Sequence, residues 1–501
     1  MAGCAGGNEA ASRTPERSAA APAATTAAPD SATTASTATE QDSPATASAG
    51  AQPGTTATAA EPATAGAPAA PQAAPSAAPA SSAAVRTGTA VQSATAPQSA
   101  TAPRTAQLAA SAPLPTGYAV SNTLFGVHDS TPLGGSTGWP KTTIGAIRLW
   151  DSGVSWREIE RSPGRYDFRA LDAIVRQANA KGAHTLIVLG MTPSFYASKR
   201  TGTEFYGSGS ASMPTNHNAW KRYVRAVANR PGVRGNSRVQ FQVWNEANVV
   251  GFWNGTPAQL ATLTKLTREA LGSRYLLAPA FVSRNSAQRT WIDRFYSTRV
   301  GGRRVADYVN AVSLQLYPLP TGTPEASMAI LALDRKILAK YGVRKPIWNT
   351  EVNYGLTGRP TAPLSASRQA ANVSRTYMLN AAAGIQRVFW YAWGPIQIAN
   401  TRTTTDNGTL TMAGKAFGVT RSWLVNSRIR GCTRNSVGTY TCTITYSGGV
   451  RRVFWNPSRI VTATVAGATA HQLVDGTLRR YTPRTMRVKV GHAPVMIRSA
   501  R

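Results

Sequence analysis

Short apolar segments alternate with longer segments of helical periodicity through the middle of the chain. Eight apolar segments have the length and the alternation of buried β-strands. Two of the intervening segments, 170–182 and 219–232, have helical spacing, and each closes on a glycine of the kind that ends helices. The predicted strands are 124–128, 146–150, 184–189, 239–244, 275–280, 311–317, 346–351 and 387–393.

Eight alternating strand and helix units over about 300 residues predict a (β/α)8 barrel, which we assign to 118–424. A doubly wound sheet is the alternative. That fold carries a glycine-rich phosphate turn after its first strand, and none follows 124–128.

The pattern of residues changes after Trp423. From there on, short predicted strands follow one another, separated by Gly, Asn and Asp turns and without helical spacing. This pattern predicts a small antiparallel β-sandwich over 425–501. Cys432 and Cys442 flank nine residues in this region, and we expect a disulfide that closes a hairpin; two free thiols are the alternative. A disulfide implies an oxidising compartment outside the cytoplasm.

The first 117 residues are mostly Ala, Thr, Ser and Pro, and no aromatic residue precedes Tyr118. Such a segment cannot bury enough apolar surface to offset the entropy of ordering, so we expect a disordered stalk. Near its start, Ala2 and Gly3 precede Cys4 in the form of a bacterial lipoprotein cleavage site. We therefore expect a secreted or extracytoplasmic protein, lipid-anchored through Cys4; chance in an Ala/Gly-rich start is the alternative.

The net charge of +32 indicates an anionic partner. The arginines are scattered and not gathered into one basic helix, which disfavours a specific nucleic-acid partner. An acidic polysaccharide or an anionic cell envelope fits better, and a basic surface without any partner is the alternative. No run of about 18 apolar residues occurs, so we expect no transmembrane segment.

Polar and large aromatic residues gather where the predicted strands end. In a (β/α)8 barrel the carboxyl ends of the strands form one mouth, where the chemistry lies. Such side chains are costly in a core and useful for binding a carbohydrate. They are His128, Arg148, Asn245, Glu246, Tyr317, Glu351, Trp390 and Trp393.

Glu246 after the fourth strand and Glu351 after the seventh are suited to glycosidic cleavage. Cleavage with retention needs an acid that protonates the leaving oxygen and a carboxylate that attacks the anomeric carbon, roughly 5–5.5 Å apart. At that distance the pKa of the acid must be raised while the nucleophile stays charged. Arg148 and Tyr317 are candidate donors to Glu351, and Asn245 can bond the 2-hydroxyl of the sugar.

The segments "WNEAN" and "WNTEVNY" resemble clan A of the glycoside hydrolases, and 147–198 is similar to the early barrel of family 39. The likeness spans about 122–424. It implies that Glu246 is the acid/base, that Glu351 is the nucleophile, that Tyr317 lies beside the nucleophile and that Trp390 is the strand-eight Trp against the sugar. Ala247 departs from the pattern, since many relatives have Pro there.

Each remaining candidate has a structural alternative. Arg148 could neutralise Asp151, Tyr317 could be core, and His128 could be a structural hydrogen-bonding residue. Trp390 and Trp393 are three apart and need not face the same side, while Phe252 and Trp253 either line a leaving-group subsite or pack a loop. The five His residues show no paired spacing, so we expect no metal site and no cofactor.

These observations predict a retaining β-glycoside hydrolase acting on a polysaccharide or oligosaccharide. A non-catalytic glycan-binding protein on the same barrel is a rival from another class. A transglycosylase is a third reading, in which a sugar and not water resolves the intermediate.

Overall fold

The structure, a computed structural model, describes residues 117–132, 138–355, 364–394 and 400–499. Apart from Gly117, the predicted stalk lies outside these ranges, and so does the lipid-anchor site at Cys4. In the described part of the chain no helix is long and apolar enough to cross a membrane.

Eight parallel strands form the barrel, and all eight predicted strands are confirmed. They are β1 Phe125–His128, β2 Ala146–Leu149, β3 His184–Leu189, β4 Val239–Val243, β5 Leu276–Leu277, β6 Val312–Gln315, β7 Ile347–Val352 and β8 Arg387–Tyr391. Their order in the sheet is β6-β7-β8-β1-β2-β3-β4-β5, and parallel bridges from Leu277 to Ala311 and from Val282 to Gln315 close the gap between β5 and β6. The predicted (β/α)8 barrel is therefore confirmed.

Helices follow the strands, and both predicted helices are present. Their apolar faces pack on the sheet, and several have capped first turns; Thr256 and Gln259, for example, form a reciprocal capping box around Pro257 at the start of α4, Pro257–Leu271. Gly182, at φ +69°, stands just past the helix that it was predicted to end. The α-helices are α1 Trp156–Ile159, α2 Arg169–Ala180, α3 His217–Ala228, α4 Pro257–Leu271, α5 Ser286–Ser297, α6 Pro324–Lys340, α7 Ala366–Ala382 and α8 Met412–Leu424.

The inward-facing side chains of the barrel form an apolar layer and a polar one. The apolar layer consists of Ala146, Leu186, Leu277, Ala311, Trp348 and Phe389. The polar layer lies nearer the carboxyl ends of the strands. In it, Arg148 donates to Gln242, Gln242 donates to Ser313, and Ser313 shares a hydrogen bond with Thr350. Because buried polar groups need partners, these side chains bond to one another. The polar layer therefore continues from the mouth into the interior of the barrel.

The C-terminal region is antiparallel, as predicted. Its strands are β9 Ser427–Arg434, β10 Tyr440–Tyr446, β11 Gly449–Trp455, β12 Val461–Leu473, β13 Leu478–Val490 and β14 Val495–Ser499, and a short strand, Tyr118–Val120, pairs with β9. They follow the order Tyr118–Val120, β9, β10, β11, β14, β12, β13. Cys432 and Cys442 form the predicted disulfide between β9 and β10.

The C-terminal sheet shares a hydrophobic core with the barrel. Ile444, Val453 and Trp455 belong to the same buried cluster as the helices around the barrel. Trp455 also donates its indole N–H to Glu325 at the start of α6. A second, smaller core lies around Phe454 and the long β12–β13 hairpin, so the domain buries side chains in two places.

Candidate active site

A pocket of about 510 Å³ lies at the carboxyl ends of the barrel strands. Both predicted catalytic carboxylates line it, together with predicted substrate-binding residues and several aromatic side chains. The lining residues are Trp150, Asp151, Phe205, Tyr206, Asn245, Glu246, Phe252, Arg284, Tyr317, Glu351 and Tyr391.

A β-bulge in β7 directs Glu351 into the barrel. Trp348 faces the interior, so strict alternation would also turn Thr350 inward and Glu351 outward. The register shifts between Asn349 and Val352, where three steps along β7 match two along β8. A bulge of this kind re-aims a side chain, and here both Thr350 and Glu351 join the interior polar network.

Donors hold the carboxylate of Glu351 from both sides. Arg148 donates Nη1–H to Oε1 of Glu351 and forms a buried ion pair with it. The Tyr317 hydroxyl donates to Oε2 at 3.1 Å. Burial by itself would raise the pKa of Glu351, but the charges and hydrogen bonds of Arg148 and His128 outweigh it and leave that pKa below its usual value. Glu351 is therefore ionised at neutral pH, as a nucleophile must be.

Arg148 organises the floor of the pocket. Besides Glu351, it donates Nη2–H to Oδ1 of Asn245 at 2.6 Å and Nε–H to Gln242 at 2.9 Å. Its side chain is fully buried, and its ion-pair partner is Glu351 rather than Asp151. The guanidinium thus fixes the position of Glu351 relative to Asn245, which precedes Glu246.

Asn245 has its side-chain oxygen fully engaged. Oδ1 accepts from Arg148 and also from Nε2 of Gln315, at 2.7 Å. This pair of bonds sets the orientation of the amide, because oxygen is the only acceptor in it. The amide NH2 of Asn245 is consequently the group that it can offer to a ligand hydroxyl.

Glu246 leaves β4 in a conformation that L-residues rarely adopt, with φ +40°. Its side chain lines the pocket and is half-buried. Burial and the negative charge of Glu351 raise the pKa of Glu246 to about 8, although Arg284 and Arg148 act in the opposite direction. Glu246 therefore holds a proton at neutral pH.

Backbone strain is concentrated at the mouth of the barrel. Positive φ angles occur at Asp151 after β2, Met191 after β3, and Trp244 and Glu246 after β4. Each costs of order 1–3 kcal/mol, and such residues cluster at functional sites where the surrounding structure holds them. Gly190 directly precedes Met191, and an added Cβ there would lie 2.9 Å from the ring of Trp150. The missing side chain at Gly190 therefore leaves space for Trp150, which lines the pocket.

His128 is buried beneath the pocket and supports it. Its Nε2 lies 2.7 Å from the carbonyl oxygen of Trp150, which can only accept, so Nε2 carries the hydrogen. Its Nδ1 lies 3.3 Å from Nη1 of Arg148 and 3.5 Å from Oε1 of Glu351. Since His128 is fully buried and does not line the pocket, it positions Arg148 and Glu351 rather than touching a ligand.

The structure places the two predicted tryptophans of β8 away from the pocket. Trp390 is fully buried near Tyr354, and Trp393 packs against Phe417 of α8, at 6.1 and 5.2 Å between ring centroids. Alternation explains the position of Trp390: Phe389 belongs to the interior layer, so Tyr391 faces inward and Trp390 outward. Trp393 lies beyond the end of β8, where alternation no longer applies. We therefore correct the assignment of Trp390 and Trp393 as substrate-binding residues, and Tyr391 is the residue of β8 that lines the pocket.

Further pocket residues come from loops and were not among the predicted site residues. Asp151 accepts a hydrogen bond from Tyr206, and burial raises its pKa. The rings of Trp150, Tyr206 and Phe252 contact one another and form an aromatic wall. Phe252 thus lines the pocket, whereas Trp253 is buried against Trp244.

Arg284, just after β5, brings a second positive charge to the pocket. Its guanidinium carbon lies 5.3 Å from the centre of the Tyr317 ring. Among the described residues no hydrogen-bond partner satisfies its buried Nε, and no carboxylate forms an ion pair with it. Nothing in the sequence around Arg284 distinguishes it, because its role depends on where the β5–α5 loop lies.

One carboxyl that holds a proton and one carboxylate that is kept charged thus face the same pocket, beside an aromatic wall and an amide donor. This arrangement can deliver a proton and a nucleophile to the same bond. The described residues contain no group of three His, Cys, Asp or Glu side chains that could hold a metal ion.

No protein-family model matches the sequence. A segment of 98 residues is 33% identical to a β-xylosidase of Geobacillus stearothermophilus, and it covers only 19% of this chain and 19% of that enzyme. The match therefore spans about a fifth of the curated relative.

Solved structures match over most of the chain at low sequence identity. A family 39 glycoside hydrolase from Bacteroides cellulosilyticus WH2 is 16% identical and covers 72% of this chain and 76% of that one, with a TM-score of 0.55. A monomeric β-xylosidase from Caulobacter crescentus CB15 is 15% identical and covers 76% and 97%, with a TM-score of 0.53. A family 30 endoxylanase from Clostridium papyrosolvens C71 is 14% identical and covers 77% and 98%, with a TM-score of 0.52. The predicted resemblance is confirmed at the level of the fold, which this chain shares with solved glycoside hydrolases of families 39 and 30.

Proposed function

We propose that this protein is a retaining glycoside hydrolase that cleaves β-glycosidic bonds in a polysaccharide or oligosaccharide. One observation carries the proposal: Glu246 and Glu351 line one pocket, and their pKa values are shifted in opposite directions. The fold of clan A glycoside hydrolases supports it.

In the first step Glu246 donates its proton to the glycosidic oxygen while the bond from that oxygen to the anomeric carbon breaks. Oxygen of Glu351 attacks the same carbon and forms a glycosyl ester. Arg148 and Tyr317 hold Glu351 ionised and oriented for this attack. The amide of Asn245 donates to the sugar's 2-hydroxyl, a contact that strengthens in the transition state.

In the second step Glu246 removes a proton from water, whose oxygen attacks the anomeric carbon and displaces Glu351. The change of role follows from electrostatics. The charge of Glu351 raises the pKa of Glu246 in the free enzyme, and this charge disappears once Glu351 is esterified. The pKa of Glu246 then falls, so that it acts as a base at neutral pH.

Two other functions use the same pocket. A glycan-binding protein would use the aromatic wall and Arg284, but it has no need of two carboxyl groups with opposite pKa shifts. A transglycosylase would use every residue named above and differ only in the acceptor of the second step. We favour the hydrolase over the binding protein because of the carboxyl pair.

We further propose that the enzyme works outside the cytoplasm, where the Cys432–Cys442 disulfide is stable. An anionic envelope or extracellular glycan is the substrate that suits its net charge of +32. Lipid anchoring through Cys4 belongs to the same proposal.

The test is release of sugar from a panel of envelope, exopolysaccharide and plant glycans by the full chain and by Glu351→Gln. Loss of the nucleophile should reduce turnover on the order of 10⁴-fold or more while glycan binding persists. Glu269→Gln, which neutralises an exposed carboxylate on α4, is the matched control and should retain full activity.

Glu246→Gln separates the two carboxyl roles. It should slow substrates with poor leaving groups far more than a 2,4-dinitrophenyl glycoside, whose leaving oxygen needs no proton. The first sugar released by the wild type should have the β-configuration by NMR. Release of the α-anomer would contradict double displacement, and full activity of Glu351→Gln would refute the assignment of the nucleophile.

A further inference from the structure

The C-terminal domain is far more basic than a solvated surface requires. Between 425 and 499 the chain has twelve Lys and Arg residues and one acidic residue, Asp475. A single acidic side chain can neutralise only one of these twelve cations. The domain therefore carries a positive charge that its own side chains do not neutralise.

Five of these cations lie on β13, the outermost strand of the sheet. All five are exposed: Arg479, Arg480, Arg484, Arg487 and Lys489. Arg487 and Lys489 share the face of the strand opposite to Met486 and Val490, which are buried in the small core. The guanidinium carbon of Arg484 lies 3.9 Å from the centre of the Tyr481 ring, which holds it in place. We call these five residues the cationic edge.

Charged residues on an edge strand also prevent edge-to-edge aggregation. The cationic edge has five exposed charges of one sign along 13 residues, a length of roughly 40 Å. Because no acidic side chain lies between them on this strand, the strand is also suited to a linear polyanion.

The cationic edge leads toward the catalytic mouth. His492, two residues past the end of β13, lies with its Nε2 3.0 Å from Oγ of Ser367. Ser367 is in the first turn of α7, and α7 follows β7, which carries Glu351. Since helices of the barrel start at the end where strands finish, β13 runs from its turn at Asp475 toward the pocket side of the barrel.

We propose that the cationic edge binds an acidic polysaccharide and holds it beside the catalytic mouth. The choice of a polysaccharide over nucleic acid rests on the proposed function and on the disulfide in the same domain. The binding itself does not involve Glu246 or Glu351, so it can be measured without turnover.

The probe is alginate, a polyuronate, together with the same polymer after its carboxyl groups are reduced to alcohols. Binding is measured in the full chain with Glu351→Gln at several salt concentrations. One variant replaces the five residues of the cationic edge by Gln. The matched control replaces four arginines and one lysine on the barrel by Gln: Arg165, Arg176, Lys181, Arg234 and Arg238, all exposed and without an ion pair to a carboxylate of the described residues.

The edge variant should lose about tenfold or more in affinity for alginate at low salt, and its affinity should depend less on salt. The control variant should stay within about twofold of its parent, and all three proteins should bind the carboxyl-reduced polymer equally weakly. A double variant, Arg487→Gln with Lys489→Gln, gives a smaller loss in the same direction if the larger variant folds poorly.

Equal losses in the edge and control variants would overturn the proposal, since net charge alone would then explain binding. Tighter binding of duplex DNA than of alginate would also overturn it, in favour of nucleic acid. If no glycan is cleaved by the wild type but binding to alginate still depends on the cationic edge, the hydrolase proposal fails and this one stands.

Discussion

The hydroxyl of Tyr317 donates a hydrogen bond to Oε2 of Glu351 at 3.1 Å, while Arg148 occupies Oε1. Burial and the neighbouring charges raise the pKa of Tyr317 well above its usual value, so the phenol remains a donor at every working pH. Each oxygen of the carboxylate is thus held by a different residue, Arg148 on β2 and Tyr317 in the segment that follows β6.

Tyr317→Phe should therefore lower kcat/KM by roughly 10- to 100-fold, because it removes a hydrogen bond to a charged acceptor. The acidic limb of the pH profile should move to higher pH, since Glu351 loses a donor that favours its ionised form. Tyr223→Phe is the control: its buried hydroxyl has no partner among the described residues, so kinetics should not change. Unaltered kinetics of Tyr317→Phe would exclude a role in holding Glu351.

The pH dependence of kcat/KM should be bell-shaped, because Glu351 must be ionised and Glu246 protonated in the free enzyme. The acidic limb lies below the ordinary glutamate value of 4.5, as the pKa of Glu351 is lowered. The basic limb lies near pH 8, where Glu246 loses its proton. A profile that falls already between pH 5 and 6 would contradict the assignment of Glu246.

Arg284→Met should move the basic limb upward. The positive charge of Arg284 favours the ionised form of Glu246, so its removal raises the pKa of Glu246 further. Arg294→Met, on the exposed side of α5, removes an equal charge away from the pocket and should leave the limb in place. A downward shift in Arg284→Met would show that the electrostatic reasoning has the wrong sign.

Neighbouring residues of β8 should respond to substitution in different ways. Tyr391→Ala should lower kcat/KM, since Tyr391 lines the pocket and packs edge-on against His128. Trp390→Phe should leave KM unchanged and lower the free energy of unfolding by about 1–2 kcal/mol, as it leaves a gap in the helix layer. Steady-state kinetics and urea unfolding measure the two effects, and a raised KM in Trp390→Phe would reverse the inferred orientation of β8.

Asp334 on α6 should make stability depend on pH. Burial raises its pKa from 3.8 to about 7, although Ser283 donates to Oδ2 at 2.7 Å. The folded chain then binds one more proton than the unfolded chain between these values, so stability falls as pH rises from about 4 to about 7. Asp334→Asn should remove this decrease, which the midpoint of thermal unfolding at pH 5 and pH 7.5 would reveal. An identical pH slope in both proteins would contradict it.

The period of apolar positions was sufficient to predict the barrel, its eight strands and the antiparallel domain. Backbone hydrogen bonding imposes periods of 2 and 3.6 on any sequence that buries one face, so these patterns are visible before folding. Glu246, Glu351, Asn245 and Arg148 could be placed at one mouth because parallel strands in a barrel all end there.

Other features depend on contacts between distant parts of the chain. The bulge that turns Glu351 inward, and the alternation that turns Trp390 outward and Tyr391 inward, depend on register between neighbouring strands. The pattern of one strand read alone leaves its register open, because register is fixed by which faces of both paired strands are buried. Arg284 likewise reaches the pocket through a loop whose path the sequence pattern leaves open.

The sequence by itself determined the architecture of this protein, since local periodicity and strand order are enough to predict a barrel, and its resemblance to clan A predicted Glu246 as the acid and Glu351 as the nucleophile. Only the tertiary structure supplied the physical cause of that difference. Arg148 on β2, His128 on β1 and Tyr317 just after β6 converge on Glu351, while the charge of Glu351 acts on Glu246 across the pocket.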